Sequence, residues 1–512
     1  MTSHVIAETT RGRIRGITDR GVSIFKGIPY GRSPDGMRRL RPPVSPESWP
    51  GVRETLEYGP RALQNENAFG AAPEVFELYG GHETLPMDED CLVLNLWTPA
   101  LNDGGRRPVM FWCHGGAFIA GSGSTPWSDG GNLARNHDLV VVTINHRLGA
   151  LGYLHLEDLC GEEFAASGLA GMFDIIAALR WVRENVAAFG GDPDNVTLFG
   201  ESGGGAKISV LMAMPAAQGL FHRAIIQSGP AVQMASRDEA SATAAQLLEE
   251  LGLTAASAGE LRRVPPARIL AAQAAVLGRI GQMSFTKRRR VGFNPVVDGN
   301  HLPAGPFEPV APRLSASVPL MIGTNKDEMR LFFARNSWFE KLDEAAMRER
   351  VRMFVDQRPD AIAAAYRRAR PDDSARDLFC AIASDAGMRI PSLTMAERKL
   401  ALGAAPVFVY LFTWETPALG GCLKSPHTLE IPFVFDNIDS AAIAGDSPTR
   451  FALAETMSRT WAAFARSGNP NNDLIPEWPA YSSERRPTMI FDDRCRLEFD
   501  PCAEERRAWD SQ

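Results

Sequence analysis

The pentapeptide Gly200-Glu201-Ser202-Gly203-Gly204 stands directly after the apolar run Val196 to Phe199 and before a helix-like run, Ala206 to Met214. A serine at so tight a strand-to-helix turn takes a strained backbone. The flanking glycines remove side chains that would collide with neighbouring elements, so the hydroxyl is lifted clear of the sheet. The chemistry open to it is nucleophilic attack on an acyl carbonyl. A phosphate-loop reading of Gly200 to Lys207 fails: Ala206 separates Gly205 from Lys207, and Ile208 stands where a metal-binding hydroxyl is required.

A second element, His114-Gly115-Gly116-Ala117-Phe118, follows the apolar run Val109 to Cys113. Its small residues allow backbone N–H groups to face a cavity and to stabilise the oxyanion that develops when an ester carbonyl becomes tetrahedral. Gly116 and Ala117 are the expected donors. The N–H of Gly203 is the third, because the residue after the nucleophile opens a helix. The plainer alternative is a tight turn with glycines for packing. A serine hydroxyl is a poor nucleophile near neutrality and needs a base, itself oriented by a carboxylate. There are nine histidines, at positions 4, 82, 114, 137, 146, 155, 222, 301 and 427, and spacing alone leaves His222 and His301 open beside His427.

The elements that would hold these residues form an α/β pattern. Short apolar runs at Val109 to Cys113, Val140 to Ile144, Val196 to Phe199, Ala224 to Ile226, Pro319 to Ile322 and Val407 to Phe412 predict a central, mostly parallel sheet. Met172, Ile175, Ile176, Leu179, Val182 and Val186 share one helical face that ends at Gly190-Gly191, which predicts a crossover between the second and third of these strands. Val5, Ile14, Val22 and Ile24, punctuated by Gly12, Gly16 and Gly21, predict N-terminal antiparallel strands at the sheet edge. Residues 337–400 are helix-rich and densely charged, and are expected to form a cap around the site's mouth. A late helix carrying Leu453, Met457, Trp461 and Phe464 stops at Gly468-Asn469-Pro470, and Thr488 to Phe491 adds a last strand.

With 512 residues the chain is long enough for several domains, yet the unbroken alternation predicts one elaborated unit over 1–512. Apolar residues make up 45% and charged residues 22%, an ordinary globular balance, and a net charge of −7 supplies no field for a phosphate backbone, so nucleic acid is not an expected partner. Glu8, Arg11 and Arg13 interrupt what a secretory signal would need, and no apolar run approaches the ~18 residues of a membrane span. The seven cysteines are odd in number and show no CxxC spacing, which predicts reduced thiols and a cytoplasmic setting. No HExxH, His/Cys cluster or strand-linked GxGxxG predicts a metal or nucleotide, and no cofactor is expected.

Taken together with Phe25-Lys26-Gly27-Ile28-Pro29-Tyr30-Gly31, Glu89-Asp90-Cys91-Leu92-Val93-Leu94-Asn95, Asn145-His146-Arg147-Leu148-Gly149 and Phe189-Gly190-Gly191-Asp192-Pro193, the serine turn resembles the type-B carboxylesterase/lipase family of α/β-hydrolases, over nearly the whole chain. Trp461 to Pro470 is similar to that family's C-terminal helix and following turn. The resemblance implies an α/β-hydrolase fold and a triad of Ser202, Glu328 and His427. His427 lies in Pro426-His427-Thr428-Leu429-Glu430-Ile431-Pro432, and Glu328 ends Gly323-Thr324-Asn325-Lys326-Asp327-Glu328, with Asp327 its local rival. It also implies buried polar support from Glu201, Ser228 and Glu430, and a substrate pocket lined by Phe118, Phe332 and Phe333, for which core packing is the alternative. His114 is expected to support the oxyanion loop.

Departures from the family pattern carry their own expectations. No cysteine precedes Cys91, so the bridge common in secreted members is not expected. Gly81 replaces the aromatic that holds a quaternary ammonium in cholinesterases, so a choline specialist is not expected. Gly203 stands where many members have Ala and is expected to loosen the turn slightly; Ile175 stands where many have Gln. The run Lys287-Arg288-Arg289-Arg290 is either a solvated face or a rim that attracts carboxylate-bearing substrates. The expected function is a serine carboxylesterase acting on a small-molecule ester through an acyl-enzyme, losing activity as pH falls through about 6 to 7 with protonation of the histidine. An aryl amide or carbamate hydrolase with the same triad, and a catalytically silent binding module of the same fold, are the rival readings.

Overall fold

Strands covered by helices on both faces must be apolar on both, and the short apolar runs meet that demand: every residue of Val140–Ile144, Leu320–Asn325 and Val407–Phe412 is buried. The computed structural model describes residues 3–66, 68–79, 84–280 and 292–510. Gly81, His82 and the basic run 287–290 lie outside the described residues.

Among the described residues the main sheet has 13 strands. In chain order they are β1 (Ser3–Thr9), β2 (Gly12–Asp19), β3 (Val22–Pro29), β4 (Val52–Glu54), β5 (Val93–Thr98), β6 (Arg107–Cys113), β7 (Val140–Ile144), β8 (Gly191–Glu201), β9 (Arg223–Gln227), β10 (Leu320–Asn325), β11 (Val407–Phe412), β12 (Pro487–Phe491) and β13 (Arg496–Phe499). In space the order is β1-β2-β3-β5-β7-β6-β8-β9-β10-β11-β12-β13, with β4 beside β2. Neighbours from β7 to β12 run parallel, whereas β1, β2, β3 and β5 run antiparallel up to β7, and β13 closes the far edge antiparallel.

The crossover helix α1 (Ala170–Asn185) forms where its apolar face predicts, and the chain leaves it through a 3-10 turn ending at Gly190, whose φ of +70° suits glycine. It joins β7 to β8, which are not neighbours, because β6 lies between them. Ile175 is fully buried in the core, where it needs no polar partner. The helical stretch Glu162–Phe189 is long and apolar enough to cross a membrane, but 78% of its apolar window is buried inside the protein, as a core helix requires.

Alternate residues of β6 serve two cores. Val109, Phe111 and Cys113 face the side covered by α1, and Met110 and Trp112 face the side covered by Leu453, Met457 and Trp461 of the late helix Arg450–Ser467. A third cluster, from Met329 and Phe333 to Phe379 and Ile382, gives the helix-rich insert its own core. The helix Ile390–Leu400 at the end of that insert packs Met395 and Ala396 into the main core.

Two strands carry no clear signal of their own. Asn95 breaks the apolar run of β5, and its buried amide is bonded to Gly123 O and Thr143 Oγ1 while its carbonyl accepts from Gly27 N. β13 is half exposed, with charged residues at Arg496 and Glu498.

Arg147, just past β7, is bound to Asp174 of α1 by Nη2–Oδ1 at 2.6 Å and Nε–Oδ2 at 2.8 Å, with both side chains buried. Removing one member leaves a buried charge alone. Asp174→Ala is therefore expected to cost about 3–5 kcal/mol in urea unfolding, and Arg147→Met with Asp174→Leu together to cost less than either alone. Unchanged stability in Asp174→Ala would show that the pair does not clamp helix to sheet.

Candidate active site

β8 ends at Glu201, the helix α2 (Gly203–Leu211) begins two residues later, and Ser202 between them has φ 54° and ψ −121°. The strain is held by close backbone packing. A Cβ on Gly204 would stand 2.0 Å from Cys113 O, one on Gly200 2.6 Å from the same atom, and one on Gly229 2.0 Å from Ser202 O. Ser202 N donates to Gln227 O at 2.8 Å, so the turn is also bonded to the end of β9. Gly203 is tighter than its sequence suggests. A Cβ there would stand 2.2 Å from Ala117 O and 2.4 Å from Ala117 N, so glycine does not loosen the turn but lets the 114–118 loop close upon it.

In that loop Gly116 has φ +82° and Ala117 φ +50°. Gly116 O accepts from Ile119 N and Ala120 N, at 3.2 and 3.0 Å. Among the described residues no hydrogen bond takes the N–H of Gly116, Ala117 or Gly203, which leaves all three available to a ligand oxygen. His114 is buried and its Nδ1 is 2.8 Å from Gly115 O. Burial and then Lys207 hold its imidazole well below the usual histidine range, so it is a neutral strut of the loop.

Glu328 sits in the turn after β10 and is fully enclosed. Its Oε1 accepts from Asn325 N at 2.7 Å, and its Oε2 lies 2.6 Å from His427 Nδ1. Asp327 makes no such contact; its N–H donates to Ser425 O, and burial, opposed by Lys326, Lys424 and Arg330, raises its carboxylate above the usual range. The rival histidines are engaged elsewhere: His222 Nδ1 accepts from Val196 N, and His301 Nδ1 faces Asp298. The other ring nitrogen of His427, Nε2, lies 3.1 Å from Glu201 Oε1. Among the described contacts no hydrogen bond joins His427 to Ser202 Oγ.

Behind the imidazole, Glu430 accepts from Asn325 Nδ2 at 2.6 Å and from Gln227 Nε2 at 3.2 Å, and Trp461 Nε1 donates to Gln227 Oε1 at 3.1 Å. Asn325, Gln227 and Trp461 thus complete the support. Asn325 stood inside a motif and Trp461 inside a helix, but nothing in their spacing marked them as polar partners. Ser228 is buried with φ +47° beside this cluster. Burial pushes Glu201 well above the usual carboxylate range, and burial with the neighbouring Glu328 pushes Glu430 up to about 7. Burial pulls His427 down, but the carboxylates of Glu201 and Glu328 outweigh it and raise the imidazole to about 9. That is above the ordinary histidine range expected from the sequence.

Ser202 opens onto a cavity of about 580 Å³ whose walls include Ala117, Phe118, Gly203, Phe69, Phe293, Phe354 and Met388. Phe118 is one of the cavity's lining residues. Phe332 places its ring 5.6 Å from that of His427. Phe333 is turned into the insert's own core, against Trp338, Phe379 and Phe354, because the short helix Arg330–Phe333 presents it to that cluster. Among the described residues no group of His, Cys, Asp and Glu is arranged to hold a metal.

A family model described as the carboxylesterase family matches residues 3–509. The chain is 36% identical to a para-nitrobenzyl esterase of Bacillus subtilis, over 99% of this chain and 98% of that one. It is 34% identical to a phenmedipham hydrolase of Pseudarthrobacter oxydans, over 96% of each. Among solved structures it is similar to a Geobacillus stearothermophilus carboxylesterase, with a TM-score of 0.85 at 39% identity over 98% of this chain and 99% of that one. A serine turn above a mainly parallel sheet and a match along almost the full length agree: the chain belongs to the carboxylesterase family, with the α/β-hydrolase fold, and is a carboxylic ester hydrolase.

Proposed function

We propose that the protein hydrolyses small-molecule carboxylic esters through an acyl-enzyme on Ser202. The observation that carries this reading is the enclosed 2.6 Å contact between His427 Nδ1 and Glu328 Oε2, built beside a strained serine that opens onto the cavity. His427 takes the proton of Ser202 Oγ as the oxygen attacks the ester carbonyl. The N–H groups of Gly116, Ala117 and Gly203 hold the oxyanion. Collapse returns the proton to the departing alcohol. Water, deprotonated by the same imidazole, then releases the acid and regenerates Ser202. Glu328 fixes the tautomer of His427 and balances its charge. Glu201, Ser228 and Glu430 form the polar backing of the triad. The seven cysteines are free, which supports a reducing, cytoplasmic setting.

Hydrolysis of p-nitrophenyl esters from acetate to decanoate tests the reading. The wild type is expected to turn over the series, and folded Ser202→Ala to lose ~10⁴-fold or more in kcat. Equal rates in both proteins would overturn it.

The pH profile tests the electrostatics. The base must be neutral, so a raised histidine is protonated and idle over a wider range, and kcat/KM is expected to climb as pH rises towards about 9. Glu201→Gln removes one carboxylate that favours the imidazolium, so its acid limb is expected to move to lower pH. An acid limb that does not move would show that Glu201 does not hold the proton of His427.

A further inference from the structure

Lys207 lies on α2, one turn beyond Gly203, and its side chain is 0% exposed. Among the described residues no carboxylate lies within ion-pairing distance of its nitrogen. Nζ instead donates to His114 O at 2.8 Å, reaches Gly115 O at 3.5 Å and stands 5.8 Å from the ring centre of Phe118. One amine, carried by the helix that begins at the serine turn, thus gathers three residues of the 114–118 loop around it.

A buried amine without a counter-charge is costly, and a methionine would fill the same space without that cost. The contribution of Lys207 therefore lies in its hydrogen bonds. Burial, opposed by Cys113 and Glu201, brings its amine down to about 7, and in either protonation state the nitrogen keeps at least two N–H donors. The carbonyl of Gly115 and the N–H of Gly116 belong to one planar peptide and point to opposite sides of it. Gly115 O is drawn behind the loop by Lys207 and by His114 Nδ1, at 3.5 and 2.8 Å. The N–H of Gly116 is thereby directed to the other side of the loop, where Ala117 and Phe118 line the cavity.

We propose that Lys207 is a positioning residue for ester hydrolysis: its buried amine holds the carbonyls of His114 and Gly115, and so keeps the N–H of Gly116 aimed at the ester oxygen as it becomes an oxyanion. This rests on the assignment of Ser202 and the 114–118 loop proposed above. Lys207 touches neither substrate nor nucleophile and transfers no proton.

Lys207→Met and Lys207→Gln, compared with the wild type, test the proposal through three readouts: steady-state hydrolysis of p-nitrophenyl acetate, inhibition by an aryl trifluoromethyl ketone, and thermal unfolding. The ketone accepts the serine oxygen and carries a full oxyanion, so its affinity reports the aim of the loop. Lys207→Met is expected to lower kcat roughly 10- to 100-fold, to leave KM within about twofold, to weaken the ketone by the same factor as kcat and to unfold at no lower temperature. Lys207→Gln, which restores an N–H donor group on a shorter side chain, is expected to recover part of both losses, and it reads the same quantities should the methionine variant not fold. Variants with wild-type kcat and ketone affinity would overturn the role, as would a loss of kcat that leaves ketone affinity unchanged. A wild type that hydrolyses no ester overturns the nucleophile assignment and the lysine role together, whereas an active wild type with unaffected variants overturns the lysine role alone.

Discussion

The site depends on backbones that approach more closely than any side chain would permit. The ends of β6, β8 and β9 lie side by side in the sheet, and the chain must turn from β8 into α2 above them. Gly200 and Gly204 fit against Cys113 O, Gly229 fits against Ser202 O, and Gly203 fits against the peptide of Ala117. A methyl group at any of these positions would push apart Ser202, the strand beneath it or the loop opposite it. Strand order, serine conformation and the fit of the 114–118 loop against the turn are thus one geometric fact. The strain at Ser202 is sustained because its N–H and C=O are both used, the first on Gln227 O and the second by Ala206 N.

Around this frame the protein buries more charge than packing alone would favour. Glu201, Glu328 and Glu430 surround one imidazole, and each is enclosed. Such a group of carboxylates is tolerable only if hydrogen bonds satisfy them or protons are shared among them. Glu328 takes the first course through Asn325 N and His427, and Glu430 through Asn325 and Gln227. Among the described residues Glu201 accepts no hydrogen bond, and its carboxylate stands against His427, so the two compete for one proton. Lys207 places a single amine behind the 114–118 loop.

Where burial on both faces dictated sequence, the fold was legible: the parallel strands from β6 to β11 stand within a few residues of their apolar runs, and Gly190 and Gly468 end the helices before them. β5 was hidden because Asn95 interrupts its pattern for the sake of bonds to other segments, and β13 because it is half exposed. The crossover from β7 to β8 was visible, but not the strand inserted between them, since periodicity says nothing of lateral order. At the site, the serine turn and the glycine loop declared themselves through residue type and spacing. The choice of Glu328 over Asp327 came from resemblance and is a matter of which way a turn points its carboxylate. Phe333 was misplaced because adjacent phenylalanines on a short helix face different surroundings. The height of the His427 titration was invisible, because Glu201 comes close only in three dimensions. Lys207 acquires meaning only beside the 114–118 loop, which no sequence pattern brings to it.

The most direct test of the central claim is covalent trapping. The folded protein is incubated with a p-nitrophenyl alkylphosphonate, digested and mapped by mass spectrometry. A single phosphonyl adduct on the peptide containing Ser202, formed with stoichiometric release of p-nitrophenol, is the predicted result. A folded protein that takes up no label, or one labelled at another residue, would contradict the account.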